Sequence, residues 1–136
     1  MINKVVLRTA NFLVTRAATP WAWGNWDCNL FITDYLDHLD GGNRSSEIRG
    51  KYSTAKEAIR FQRSISSAPD WVASQGYEII TTSELQDYDI VLEPERGYWH
   101  AGLVFGGRIW SVEIDRGTVI RPIEAKEYTL GRQHGK

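Results

Sequence analysis

The chain has 136 residues, 42% hydrophobic and 24% charged, the balance of one globular domain rather than of a disordered or fibrous chain. Sixteen Lys and Arg against 17 Asp and Glu leave a net charge of −1, which gives no basic field for nucleic acid or anionic lipid. One cysteine excludes an internal disulfide framework, and with only His38, His100 and His134 beside it neither a metal nor another cofactor is expected.

No apolar run reaches the roughly 20 residues needed to span a bilayer, so no membrane span is expected. The opening Met1 to Leu7 is broken by Arg8, Asn11 and Arg16, and no small-residue cleavage site follows. The expectation is synthesis in a host cytoplasm without a cleaved signal.

Val6, Ala10, Leu13, Val14 and Ala17 share helical spacing and predict a first helix over residues 4–18, ended by Thr19-Pro20. A Trp/Gly segment, 21–26, comes next. Asp27 then offers an N-cap for a second helix whose apolar face holds Cys28, Phe31, Ile32, Tyr35, Leu36 and Leu39, stopped by Asp40-Gly41. Residues 43–53 read as loop. Thr54 and Glu57 have capping-box spacing for a third helix with Ala58, Phe61 and Ile65, and Asp70 to Ser74 reads as a short fourth, closed by Gly76.

After Gly76 the pattern becomes that of strands, predicted at 77–81, 88–93, 99–105, 108–113 and 117–121. Helices first and strands afterwards predict a single α+β domain, N-terminal helices packed on an antiparallel sheet of about five strands. Residues 129–136 read as a frayed tail.

Two places carry candidate chemistry. Gly106-Gly107 between two strand-like runs predicts a two-residue hairpin, because primed turns need positive φ at both positions. Counting back, Phe105 faces Arg108, Gly102 faces Ser111 and His100 faces Glu113. His100, Gly102, Val104, Ile109, Ser111 and Glu113 then share one face, expected to look toward a polar site or solvent, and Ala101, Leu103, Phe105, Trp110 and Val112 share the core face. Ser111 or Glu113 can accept from one nitrogen of His100 and fix its tautomer. The second place is Cys28, in the first turn of a helix, where unpaired N–H groups and the helix dipole favour a thiolate and can hold an oxyanion. Alternatively Cys28 belongs to the apolar stripe and is inert, and His100 is a surface residue paired with Glu113. Trp21, Trp23 and Trp26 crowd around the thiol, either as core or as the wall of a cleft.

Taken together, Pro20-Trp21-Ala22-Trp23-Gly24-Asn25-Trp26-Asp27-Cys28, Tyr88-Asp89-Ile90-Val91 and His100-Ala101-Gly102-Leu103-Val104-Phe105-Gly106-Gly107 resemble, in order, the motifs of the NlpC-type branch of papain-like cysteine peptidases. The stretch Ile48 to Ala58 is similar to an uncharacterised branch encoded among phage tail genes. The resemblance implies a papain-like fold in which Cys28 is the nucleophile, His100 the general base and Ser111 the residue that orients the ring. It also implies cleavage of an amide bond in peptidoglycan stem peptides, at a virion tail tip acting on the bacterial cell wall beside other phage tail proteins. Trp21 stands where relatives have an oxyanion-lining tyrosine, and Asn29-Leu30 replace a small Ser-Gly. Serine at the third position replaces the usual His, Asn or Gln. These departures leave open a catalytically inactive tail hub protein that uses the same cleft for docking. Asp27 is expected to cap rather than to react, and Asp89, His38 and Glu47 are read as structural or surface residues.

Overall fold

A computed structural model describes residues 4–65 and 67–133. Among these residues four α-helices, α1 (Lys4–Arg16), α2 (Cys28–Asp40), α3 (Ala55–Ile65) and α4 (Ala68–Ser74), precede six strands. The strands are β1 (Tyr77–Thr82), β2 (Ile90–Glu95), β3 (Tyr98–Phe105), β4 (Arg108–Glu113), β5 (Gly117–Pro122) and β6 (Tyr128–Gln133). They form one antiparallel sheet in the order β1-β6-β2-β3-β4-β5. The fold is therefore α+β, with one strand more than the sequence pattern predicted. His134 lies outside the described residues.

That extra strand corrects the expected frayed tail. Residues 128–133 pair with β1 along their whole length and with β2 at Thr129 to Gly131, which puts β6 inside the sheet. Tyr128 and Leu130 enter the core, and Arg132 grips the buried Asp89 with two bonds of 3.0 and 2.7 Å. Gly131 is needed because a Cβ there would stand 2.6 Å from Val72 of α4.

The start and stop of α2 follow the local chemistry. Asp27 accepts from the N–H groups of Asn29 and Leu30, and Gly41 closes the helix at φ 72° with its N–H on the Asp37 carbonyl. The capping box of α3 is half formed. Thr54 Oγ1 accepts from Glu57 N–H at 3.1 Å, while the Glu57 carboxylate turns to the N–H of Ser53. In α1 the inward face is Thr9, Phe12 and Leu13, so of the predicted stripe Leu13 is buried as expected while Val6 and Val14 are exposed, Val14 by 73%. The bulk of Phe12 decides this rotation: its ring packs 5.8–5.9 Å from those of Phe31 and Tyr35.

The sheet is covered on both faces. Ile90, Leu92, Ala101, Leu103 and Val112 meet Phe12, Phe31 and Tyr35 from α1 and α2 and Trp26 from the segment between them. On the reverse face Val91, Val104, Ile109, Tyr128 and Leu130 form a second buried cluster, against which Ile80, Leu85 and Ile123 pack. The face expected to look outward is thus mostly core, because Val104 and Ile109 are apolar on that side as well. The hairpin itself is as predicted. Phe105 pairs with Arg108 and Gly102 with Ser111, and Gly106 and Gly107 have φ of 65° and 72°.

Candidate functional site

Asp27 organises the ground on which Cys28 stands. Its carboxylate is buried and accepts four hydrogen bonds: Oδ1 from the N–H of Asn29 (3.1 Å) and Leu30 (3.0 Å), Oδ2 from the N–H of Gly24 (2.9 Å) and the Tyr52 hydroxyl (2.8 Å). Its carbonyl takes the N–H of Phe31 at 2.8 Å. The cap so occupies most donors of the first turn and leaves the N–H of Cys28 itself as the group that can meet an oxyanion.

Cys28 opens α2 and is 7% exposed. Its sulfur lies 4.0 Å from the carbonyl oxygen of Trp99 in β3. Burial, followed by the neighbouring Asp27 charge, pushes the thiol up to about 12, against the weaker downward pull of the N–H groups of Ala101, Cys28 and Asn29. In this arrangement the group is a thiol at neutral pH, where the helix-start argument alone expects a thiolate. Desolvation outweighs the dipole.

Gln62 of α3 is the clamp that pattern reading passed over. Its Oε1 accepts from Trp99 N–H (2.8 Å), and its Nε2 donates to Trp99 O (3.3 Å) and to Asn29 Oδ1 (3.1 Å). It therefore joins the start of β3 to the start of α2. The signal was there: Gln62 sits one helical turn after Ala58, a polar residue on an apolar face. Tyr52, assigned to a loop, is 3% exposed and belongs to the same network.

His100 stands between Trp99 and Ala101, and its side chain turns to the other face of the sheet. Its Nε2 lies 3.4 Å from the carbonyl oxygen of Val112, and the ring shares a groove with Glu93, Glu95, Tyr98, Glu113 and Arg121. Among the described residues no hydrogen bond joins the ring to Cys28, Ser111 or Glu113. The β3–β4 ladder stops at Gly102 opposite Ser111, so the predicted pairing of His100 with Glu113 falls beyond its end; His100 pairs with Glu93 of β2 instead. Glu113 forms an ion pair with Arg116 at 3.3 Å, and Glu93 one with Arg121. Ser111 is fully buried, and its hydroxyl has no partner among the described residues.

The aromatic wall is also built differently from the expectation. Trp26 is core, 1% exposed, with its Nε1 on Thr118 Oγ1 at 3.3 Å. Trp21 and Trp23 pack edge to face on each other, 5.3 Å apart. The cavity beside Cys28 is instead bordered by Phe61 and Trp71 of α3 and α4, which the capped helices bring over β2 and β3. Among the described residues no three His, Cys, Asp or Glu side chains gather as metal ligands, and no helix is long and apolar enough to cross a membrane.

The family model for a domain of unknown function (DUF6950) matches residues 3–129. The chain belongs to the DUF6950 family. The DUF6950 match takes in Asp27, Cys28, Gln62, His100 and Ser111 and ends inside β6. No curated protein matches the chain.

Proposed function

We propose that this DUF6950 protein is a papain-like cysteine hydrolase of the NlpC type, cleaving an amide bond in peptidoglycan stem peptides as part of a phage tail tip. One observation carries the reading: the sulfur at the start of α2 lies against the backbone of Trp99 and Ala101, the two chain neighbours of His100. Residues distant along the chain are thereby brought to one point where a helix start meets the histidine strand. In the reaction the Cys28 thiol gives its proton to His100, and the thiolate attacks the amide carbonyl. The N–H of Cys28 holds the oxyanion. The imidazolium protonates the leaving amine as the C–N bond breaks, and water, deprotonated by His100, then splits the thioester to release the acid and restore the thiol. The ring lies on the other face of the sheet from the sulfur, beside the Val112 carbonyl, so the proton transfer requires residues 98–101 of β3, which lie beyond the β4 ladder, to twist about the strand axis and bring the ring round to the thiol.

A second reading, a tail protein that keeps the fold and docks a neighbour without catalysis, is favoured by the raised thiol pKa and the unpartnered Ser111. Digestion of purified sacculi followed by mass spectrometry of the released fragments separates the two. The hydrolase releases peptide fragments, and both Cys28→Ala and His100→Ala abolish the release. Intact sacculi, with Cys28 reacting with iodoacetamide only at strongly alkaline pH, establish the docking reading instead.

A further inference from the structure

We propose that the cavity beside Cys28 is a recognition pocket for a small, uncharged aliphatic substituent on the acyl side of the cleaved amide. This rests on the hydrolase reading and names its substrate class. The cavity holds about 50 Å³, between the roughly 10–15 Å³ that one water needs and the about 150 Å³ of a cavity that admits benzene. A methyl to isopropyl group fits this space and a phenyl ring does not. Ile32, Val72, Leu92 and Ala101 supply its buried walls, and the half-buried Ile48, Phe61 and Trp71 border it. The sulfur stands in the same wall, so the carbon next to an attacked carbonyl presents its substituent here.

Three polar side chains of the lining are already held in hydrogen bonds. Gln62 is held by Trp99 and Asn29 through three bonds. Asn29 Nδ2 donates to the Tyr52 hydroxyl at 3.3 Å. Thr33 Oγ1 donates to the Leu30 carbonyl at 3.4 Å and accepts from Ser45 Oγ at 2.8 Å. A carboxylate or ammonium entering the pocket would shed its water against the apolar walls of Ile32, Val72, Leu92 and Ala101, whereas a methyl group sheds only unfavourable hydration.

Methyl-resolved NMR of the full chain with isobutyramide, benzamide and succinamate tests the pocket without requiring catalysis. Isobutyramide is expected to shift the methyls of Ile32, Val72 and Leu92, and the other two to leave them in place. Absence of shifts with isobutyramide, or equal shifts with succinamate, overturns the pocket. Chloromethyl ketones of N-acetylated alanine, valine, glutamate and phenylalanine provide a covalent readout by intact mass. Those of alanine and valine should alkylate Cys28 at least about tenfold faster than the others, and Ile48→Ala should raise the rate for phenylalanine. Equal rates overturn the pocket. Isobutyramide shifts with no alkylation by any ketone uphold the pocket and sink the hydrolase.

Discussion

The Tyr52 hydroxyl donates to the Asp27 carboxylate across 2.8 Å, tying the stretch after α2 to the residue that caps that helix and precedes the thiol. The acceptor is a buried, charged group, so Tyr52→Phe should cost about 1.5–3 kcal/mol, read as a lower denaturation midpoint in urea at unchanged slope. No change in midpoint would show that the bond is not made in solution.

Asp27 is also the second cause of the raised Cys28 pKa, after burial. Removing its charge in Asp27→Asn should move iodoacetamide labelling of Cys28 to lower pH than in the parent, even as the variant loses stability. A labelling curve displaced upward or unmoved contradicts the assigned cause.

The thiol links stability to pH with a definite sign. Its ordinary value of 9.0 rises to about 12 in the fold, so between these values the native state holds a proton that the unfolded chain releases. The contribution is fully present below pH 9 and is lost as pH rises toward 12, at up to about 1.4 kcal/mol per pH unit. Denaturation of the parent and of Cys28→Ser across that range should give curves that converge as pH rises. Parallel curves would mean that the thiol titrates normally.

Two glycines with similar backbones should respond differently to alanine. Gly50 (φ 81°) has nothing within 4 Å of a Cβ position, while at Gly24 (φ 75°) a Cβ would stand 2.0 Å from the carbonyl oxygen of Tyr52. Gly50→Ala should cost only the about 1–2 kcal/mol of a left-handed residue. Gly24→Ala must push the Tyr52 segment away and should lower the melting temperature far more, dragging the Asp27 network with it.

Arg132 and Asp89 form a pair in which the carboxylate is 2% exposed. Arg132→Met strands that charge and should cost about 3–5 kcal/mol, measured by chemical denaturation. A cost below about 1 kcal/mol, the range of surface pairs, would place the pair in solvent.

Ser111→Ala removes a buried hydroxyl that has no partner. Stability should hold or rise by about 1 kcal/mol, and sacculus digestion should persist, because among the described residues this hydroxyl makes no bond to the His100 ring. A large loss of digestion at intact stability would reinstate Ser111 as the residue that positions the ring.

Local chemistry made much of this molecule readable. Asp27 before an apolar helical face and Gly106-Gly107 between two apolar runs specify the cap and the hairpin register through short-range bonds, and both are found as predicted. What escaped depends on partners far along the chain. Tyr128, Leu130 and Arg132 alternate as a strand does, but Gly131 and the charged neighbours look like a tail until α4 and Asp89 are there to receive them. His100 looks toward a polar groove, as predicted, but the rest of its face escaped for a related reason: Val104 and Ile109 join a second core with Val91, Tyr128 and Leu130, contributed by other strands. The thiol's state depends on desolvation by α3, α4 and β3, which no neighbour of Cys28 in the chain encodes.

The position of β6 between β1 and β2 has a consequence for biogenesis. On the ribosome β1 emerges with no strand to zip against, because among the described residues its neighbour in the sheet is β6, the sixth of the six strands in chain order. Sheet closure must therefore wait until translation has passed residue 133, and until then the unpaired edges of β1 and β2 are the nascent chain's points of exposure to aggregation and chaperones.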